Sequence, residues 1–374
     1  MTREQEVLLY LVRLGIGGDV EPDFVLDGVD WRELVELSYR QGVAAIAVDG
    51  LQKVYESNPS LELALDSPEL EAVKYEWFGV IFDTESRSRN VSDRARELYS
   101  FFAKAGFRSC LLKGQGVAQL YPVPSHRTPG DIDLWVEGGR DDVLDYVISK
   151  GVKIGNVDSK HCDAEFFGDV SVEIHSLPSY SFDPLCWWRL KRWASQQVGI
   201  QASLFDPGVG FAYPSMDFNL VYILHHIYRH IFIEGVGLRQ VTDYACVLRH
   251  SAKADRKAVW QMVCSFKMKR FAAGMMWVMR ECFHIDDSLL LCAPSESEGR
   301  FLLNEFWYGG GFGRYDSRYT LDYSGSTLRL GVSQFRRNLS FLAHYPNEVL
   351  WSPFWKLWHW CWMKNYAQKL SKKC

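Results

Sequence analysis

Carboxylates in two strand-like segments are the residues of this sequence best placed to do chemistry. Asp131 and Asp133 alternate with Ile132 and Leu134. Because successive side chains of a β-strand point to opposite faces, the two carboxylates are predicted to share one face. Glu173 lies between two apolar residues in a second strand-like segment. The same alternation predicts that its carboxylate can join the pair.

Three converging carboxylates indicate a cation. They repel one another, and burying them unpaired would cost several kcal/mol each. Oxygen ligands without a thiolate suit Mg²⁺ or Mn²⁺. The sequence therefore predicts that Asp131, Asp133 and Glu173 are both the catalytic carboxylates and the metal ligands.

A turn with the character of a phosphate-binding loop precedes these acids. A short apolar segment ends at Lys113, Gly114 and Gln115. Glycine at a strand-to-helix turn lets backbone N–H groups approach a phosphate, and a helix N-terminus favours negative charge. Arg127 adds a second cation nearby. We therefore predict phosphate binding at Lys113, Gly114, Gln115 and Arg127.

The order of these motifs resembles a known family. The ordered set consists of Lys113-Gly114, Arg127, Asp131-x-Asp133, Glu173 and His175. It resembles the nucleotidyltransferase superfamily that includes the polymerase-β palm, and most closely its bacterial branch of nucleotidyltransferase family proteins. In that superfamily a glycine turn, often Gly-Ser, precedes an Asp-x-Asp pair, and a third acid on a neighbouring strand completes the metal site. This chain has Gln115 where serine is usual. The resemblance implies nucleotide binding at Lys113, Gly114, Gln115 and Arg127.

The resemblance and the local patterns together imply an α+β or mixed α/β fold. We expect a small mixed β-sheet of about four or five strands, the palm, with helices packed around it. The regions before and after the sheet are predicted to be largely helical. The predicted divisions are residues 1–105 for the helical N-terminal region, 106–212 for the catalytic core and 213–374 for the helical C-terminal region.

The activity implied by the resemblance is transfer of a nucleoside monophosphate from an NTP, such as ATP, to an acceptor, with release of pyrophosphate. The acceptor would offer a hydroxyl or phosphate group. A small molecule or a protein is favoured, because a net charge of −4 and a pI near 6.2 give no overall basic field for nucleic acid. Gln115 favours the alternative, a catalytically inactive palm-like protein that binds a nucleotide or a protein partner.

Further polar residues are candidates for supporting roles. His175 follows Glu173 by two residues on the same strand face, where it would orient a carboxylate or form a structural hydrogen bond. Arg239 and Asp243 are four apart on a predicted helix, so an intrahelical salt bridge would explain both. The resemblance offers a role on the substrate side as the alternative for this pair.

Two features of the helical C-terminal half leave alternatives open. His226 and His230 have the spacing of metal ligands on a helix, but they lack the glutamate of His-Glu-x-x-His, so structural or nucleotide-contacting roles are favoured. Four tryptophans share one predicted helical stripe: Trp351, Trp355, Trp358 and Trp362. Either the stripe is buried against preceding helices, or it meets a hydrophobic partner or a membrane surface.

The remaining signals concern helix boundaries and location. Asp30 is predicted to cap one helix that runs to about residue 54. Nine scattered cysteines without Cys-x-x-Cys spacing favour reduced thiols. No apolar segment approaches the roughly 18 residues of a membrane span, and the N-terminus does not resemble a signal peptide. We expect a cytoplasmic protein without a transmembrane segment.

Overall fold

A mixed β-sheet surrounded by helices forms the centre of the protein. The computed structural model describes residues 1–58, 68–311, 313–316, 318–319 and 327–370. Within these residues the sheet has five strands. The predicted mixed α and β class, with its small sheet and helical flanks, is confirmed.

The order of the strands places the acidic segments side by side. The strands are β1 (Ser109–Leu112), β2 (Ile132–Val136), β3 (Ile154–Val157), β4 (His161–Ala164) and β5 (Val172–His175), with a separate two-stranded hairpin of β6 (Phe205–Asp206) and β7 (Phe211–Ala212). The sheet order is β1-β2-β5-β4-β3. Strands β2 and β5 are parallel, and the other pairs are antiparallel. The strands that carry Asp133 and Glu173 are thus neighbours in the interior of the sheet.

Helices cover the sheet and extend well beyond it. Before the sheet lie α1 (Arg3–Gly15), α2 (Trp31–Gln41), α3 (Ala44–Ser57) and α4 (Pro68–Lys104). Between strands lie α5 (Gly114–Ala118) and α6 (Arg140–Ser149). After β5 come α7 (Pro184–Ala202), α8 (Met216–Ile233), α9 (Leu238–Arg249), α10 (Arg256–Ser265), α11 (Lys269–Phe283), α12 (Glu296–Tyr308), α13 (Thr327–Asn338) and α14 (Pro346–Leu370). Single 3₁₀ turns occur at Pro124–His126, Asp287–Leu289 and Leu339–Phe341.

The helix predicted from Asp30 to about residue 54 is wrong in one respect, because the chain breaks at Gly42. Helix α2 ends there with Gly42 at φ 69° and ψ 30°, the left-handed conformation that favours glycine and ends helices. The Arg239 side chain approaches within 3.5 Å of the position that a Cβ on Gly42 would occupy. The break therefore lets helix α9 pack closely against the N-terminal helices.

The two faces of β2 have different roles. Ile132 and Leu134 point into a hydrophobic cluster shared with α4 and α6. On the opposite face, Trp135 packs with its ring centroid 5.6 Å from that of Phe218 in α8. Asp133 lies on this second face and is 3% exposed. The predicted alternation thus directs the acidic face towards the C-terminal helices.

A second, larger hydrophobic cluster joins helices from both ends of the chain. It includes buried residues from α1 to α3 and from α8 to α12. The first and last helical regions therefore share a core. The proposed divisions at residues 105 and 212 remain a prediction.

The C-terminal helix α14 lies against the sheet. The hydroxyl of Tyr366 donates a hydrogen bond of 2.8 Å to Asp141 Oδ1, and the Arg140 guanidinium lies 5.0 Å from the ring centroid of Trp362. Trp355 stacks on Tyr180 with centroids 4.6 Å apart. These contacts tie α14 to the first turn of α6 and to the segment that follows β5.

The predicted tryptophan stripe is divided between two environments. Trp355 and Trp362 make the sheet-side contacts, whereas Trp351 and Trp358 are 42% and 45% exposed. Phe354 and Leu357 extend the exposed apolar side of the helix. A hydrophobic partner on this side stays a prediction. No described helix has the combination of length and hydropathy that crossing a membrane requires.

Candidate active site

The strand register brings the predicted carboxylates together. Asp133 is aligned with Glu173 across the parallel β2–β5 pair, and Asp131 immediately precedes β2. One carboxylate oxygen from each of the three residues lies within 4.8 Å of the others. These are the distances at which three oxygen ligands can share or bridge divalent cations.

Lys113 supplies a positive charge to this cluster from the turn after β1. Its Nζ lies 2.9 Å from Asp133 Oδ1. The Lys113 backbone has φ 52°, a conformation that costs a non-glycine residue on the order of 1–3 kcal/mol. Burial lowers the pKa of Lys113, but the charges of the neighbouring acidic groups, Asp133 first among them, together raise it above its ordinary value. A charged lysine is therefore held against the buried carboxylate.

His175 links two of the carboxylates. Its Nε2 donates to Asp133 Oδ1 at 2.8 Å and to Glu173 Oε2 at 3.1 Å, while its Nδ1 lies 3.1 Å from the Leu177 carbonyl oxygen. Both ring nitrogens thus face acceptors, which favours the doubly protonated ring. Burial lowers the pKa of His175, but the hydrogen bonds to the two carboxylates raise it above its ordinary value.

The three carboxylates differ in electrostatic environment. Burial raises the pKa of Asp133, but Lys113 and His175 together lower it below its ordinary value. Burial likewise raises the pKa of Glu173, and here mainly His175 lowers it below its ordinary value. The pKa of Asp131 is raised, chiefly by the neighbouring charge of Asp133. Asp131 is therefore the carboxylate at which an added cation would offset the most repulsion.

The donor set fits a hard divalent cation. The carboxylates of Asp131, Asp133 and Glu173 offer oxygen ligands, which Mg²⁺ and Mn²⁺ prefer. A second group that could hold a metal consists of His161, Glu173 and His175. In that group Nε2 of His175 is already engaged with two carboxylates. The all-oxygen group is thus the better metal site.

His161 precedes Glu173 by 12 residues in the sequence and lies beside it in the structure. Its Nδ1 lies 3.2 Å from Glu173 Oε2. Burial, followed by the charges of Lys160 and His175, lowers the pKa of His161 to about 4. The imidazole is therefore neutral at physiological pH.

A cavity of about 680 Å³ opens in front of the carboxylates. Its volume lies within the roughly 300–1,000 Å³ that is typical of small-molecule sites. One wall is the sheet with its turns, and the facing wall comes from α8, α9, α13 and α14. The polar residues of the facing wall include His226, Arg229, His230, Glu234, Arg239, Asp243, Gln334, Lys356 and His359.

Arg127 lines the cavity but is already paired. Its Nε and Nη2 donate to the two oxygens of Asp243 at 2.7 and 2.8 Å, and the Tyr121 hydroxyl donates to Asp243 Oδ1 at 2.7 Å. The side chains of Arg127 and Asp243 are each 6% exposed. The sequence predicted that Asp243 pairs with Arg239 on its own helix. In the structure Asp243 accepts a bidentate bond from Arg127, which lies in a loop distant in sequence. Arg239 lines the same wall.

Gln115 points away from the cavity. Its Nε2 donates to the Ser88 carbonyl at 3.0 Å and to the Ser92 hydroxyl, both in α4, and the residue is 3% exposed. The side chain therefore anchors the turn to α4, and only the Gln115 backbone is left for the predicted nucleotide contact. Gly114, by contrast, lines the cavity.

The histidines of α8 also reach the cavity. His226 and His230 line it, with ring centroids 4.2 Å apart. Burial holds the pKa of His226 well below its ordinary value, so this ring is neutral. Neither histidine belongs to a cluster of three potential metal ligands in the part of the chain that the structure describes.

Several lining cations were not predicted from the sequence. They are Lys160, Arg229 and Lys356. Arg229 carried a detectable signal, because it is a lone arginine within the mostly apolar helix α8. The other two lie in a turn and in a tryptophan-rich helix, where exposed lysines are ordinary.

The sheet thus presents three carboxylates beside a lysine–glycine turn at the base of a cavity of small-molecule size. The chain belongs to the family described as "Uncharacterised nucleotidyltransferase", whose model matches residues 27–284. The predicted family is thus confirmed, and the protein is a transferase of nucleotidyl groups. The match includes the sheet and helices α8 and α9, and it ends before α12. A comparison with curated proteins finds no match.

Proposed function

We propose that the protein transfers a nucleoside monophosphate from an NTP to a hydroxyl or phosphate group of a small molecule or protein. The acceptor oxygen would attack the α-phosphorus, the bond to the bridging oxygen would break, and pyrophosphate would leave. The observation that carries the proposal is the convergence of Asp131, Asp133 and Glu173, with oxygens within 4.8 Å, at a cavity of about 680 Å³.

Asp131, Asp133 and Glu173 would hold Mg²⁺ or Mn²⁺. Such ions stabilise the attacking and leaving oxygens of an in-line displacement. The chain's own contribution is to fix the ligands before substrate arrives. Lys113 and His175 both contact Asp133 Oδ1, and no hydrogen bond to Oδ2 of that carboxylate is found among the described residues.

The turn after β1 would meet the triphosphate. Lys113 and Gly114 line the cavity beside Asp131 and Asp133, so phosphate oxygens there would share the lysine ammonium with Asp133. Arg127 would act differently from the initial prediction, because its bidentate bond to Asp243 makes it a support for the facing wall. Arg239 on that wall adds a cation towards the same space.

The test is a labelling experiment. Purified protein is incubated with each α-³²P-labelled NTP and Mg²⁺ or Mn²⁺, with and without cell extract. We expect label on a metabolite or protein together with released pyrophosphate, and neither product from an Asp131→Asn/Asp133→Asn variant. Asp163→Asn is the matched control, because Asp163 lines the cavity but lies outside the carboxylate group.

The contrary result is equally informative. Absence of transfer, together with absence of metal-dependent NTP binding in calorimetry, would exclude the proposed reaction. Metal-dependent NTP binding without transfer to any acceptor would support the alternative of a palm-like nucleotide-binding protein without turnover.

A further inference from the structure

The wall that faces the carboxylates contains a half-buried lysine with a neutral partner. Lys356 of α14 lines the cavity, and its Nζ donates to Gln334 Oε1 at 2.8 Å. Gln334 Nε2 in turn donates to the Ile233 carbonyl at 3.3 Å, which keeps the amide oxygen directed at the ammonium. The ion pairs of the described residues include none for Lys356. The Lys356 ammonium therefore has a hydrogen-bond acceptor, but no negative charge neutralises it among the described residues.

Arg229 of α8 lies on the same wall and has donors without acceptors. It is 2% exposed, and its Nη1 donates to Glu348. Within the described residues, Nε and Nη2 have no hydrogen-bond partner. Nε and Nη2 are also the two nitrogens through which Arg127 donates to both oxygens of Asp243. A planar anion with two oxygens is the usual partner of that edge of the guanidinium.

The two cations are electrostatic neighbours. Burial, followed by the charge of Arg229, lowers the pKa of Lys356 to about 8. Glu348 already pairs with Arg229, so Lys356 carries the charge that a bound anion would neutralise.

Trp355 adds a third unused donor. Its ring is held between Tyr180 at 4.6 Å and His359 at 4.5 Å, and its buried Nε1 has no partner among the described residues. His359 also ties α14 to the turn before β4, since its Nε2 lies 3.4 Å from the Ser159 backbone nitrogen. The wall therefore combines Lys356, a cation without an ion-pair partner among the described residues, with unused donors on Arg229 and Trp355.

We propose that Arg229, Trp355 and Lys356 form an anion-binding subsite that receives a phosphate or carboxylate group of the acceptor. The identity of the ligand as acceptor rests on the proposed function. The anionic group of the acceptor would bind at this wall, away from the carboxylates that repel it. The reactive oxygen of the same acceptor would then face the metal site. Trp355 and Lys356 lie beyond the family match, which ends at residue 284. The subsite would thus set acceptor choice in this chain.

The first test measures binding alone. Glycerol 3-phosphate, glycerate and neutral glycerol are titrated into the full-length protein by calorimetry, without nucleotide or metal and again with Mg²⁺ and a non-hydrolysable NTP analogue. The two anionic probes distinguish phosphate from carboxylate recognition. We expect saturable binding of at least one anion and none of glycerol.

Lys356→Met is the informative variant. Loss of one charge-assisted hydrogen bond should weaken anion binding by about tenfold or more. Lys364→Met is the matched control, because Lys364 is exposed on the same helix over the Trp360 ring and does not line the cavity. It should leave the dissociation constant unchanged. Circular dichroism melts confirm that both variants fold.

Several outcomes would overturn the subsite. These are equal anion affinity of wild type and Lys356→Met, absence of anion binding with and without the nucleotide analogue, and displacement of glycerol 3-phosphate by metal-free ATP, which would assign the wall to the nucleotide. Failure of the proposed function looks different. In that case no NTP label is transferred, yet Lys356-dependent anion binding persists, including in the Asp131→Asn/Asp133→Asn variant.

Discussion

The two walls of the cavity differ in how their charged side chains are paired. On the sheet wall, the buried carboxylate of Asp133 is bonded by both Lys113 and His175. On the helical wall, Lys356 has a neutral amide as partner, and Arg229 leaves two donors unused. The comparison shows that the side chains of the sheet wall are held in place without a ligand. What an added cation would still offset is the repulsion between Asp131 and Asp133. On the helical wall, the proposed anion would neutralise the charge of Lys356.

The largest effect is expected on catalysis at the sheet wall. Asp133→Asn removes the carboxylate charge that Lys113 and His175 hold in place, so nucleotidyl transfer should fall by about 10³-fold or more. The measurement is the initial rate of pyrophosphate release with the labelled NTP that serves as substrate. Asp163→Asn should stay within roughly threefold of wild type, and a similar loss in this control would remove the distinction between the two acids.

The next effect concerns the buried ion pair behind the helical wall. Arg127→Met should lower the free energy of unfolding by about 3–5 kcal/mol, because Asp243 is left as an unpaired buried charge. Urea denaturation measures this change. The double variant Arg127→Met/Asp243→Leu should recover most of the loss. A single-variant cost below about 1 kcal/mol would contradict the view that this part of the wall is charge-balanced.

A gain in stability is expected where charge is unbalanced. Lys356 has a pKa of about 8 in the folded protein, against about 10.4 in the unfolded chain. The unfolded chain therefore binds more protons between these values, and wild-type stability should rise with pH across that interval. After subtraction of the lost Gln334 hydrogen bond, Lys356→Met should stabilise the protein by about 2 kcal/mol at pH 7.

The pH profile provides the check on this gain. The stabilisation by Lys356→Met should be full below pH 8 and absent above about pH 10.4. Urea denaturation of both proteins at pH 7 and pH 10 measures it, with Lys364→Met as the exposed control. A constant difference across this range would mean that packing, not charge, distinguishes the two proteins.

The smallest effect tests the turn of the sheet wall. Gln115→Ala should cost about 1 kcal/mol of stability, because the turn loses its hydrogen bonds to Ser88 and Ser92. Its metal-dependent NTP affinity should match wild type, whereas Lys113→Met should weaken that affinity. A fall in NTP affinity without a change in stability would place the Gln115 side chain at the nucleotide.

Sequence reasoning was strongest where the physics is local. The alternation around Asp131 and Asp133 requires only the two-residue period of a strand, and the structure places both on the cavity side. It was weaker at Gly42, since the apolar pattern of α2 continues into α3 and hides the left-handed break between them. Gln115 shows a further limit, because its position in a turn does not reveal whether its side chain faces the ligand or α4.

The sequence by itself determined the family, the mixed fold class and the three carboxylates that share one sheet face, because strand periodicity and short motifs act over a few residues. Only the tertiary structure decided that Arg127 pairs with Asp243, 116 residues away, and that Lys356 from the last helix enters the same cavity as Lys113. Such charges find or lack partners through the packing of distant helices. Their electrostatic roles follow from that packing, which no local pattern encodes.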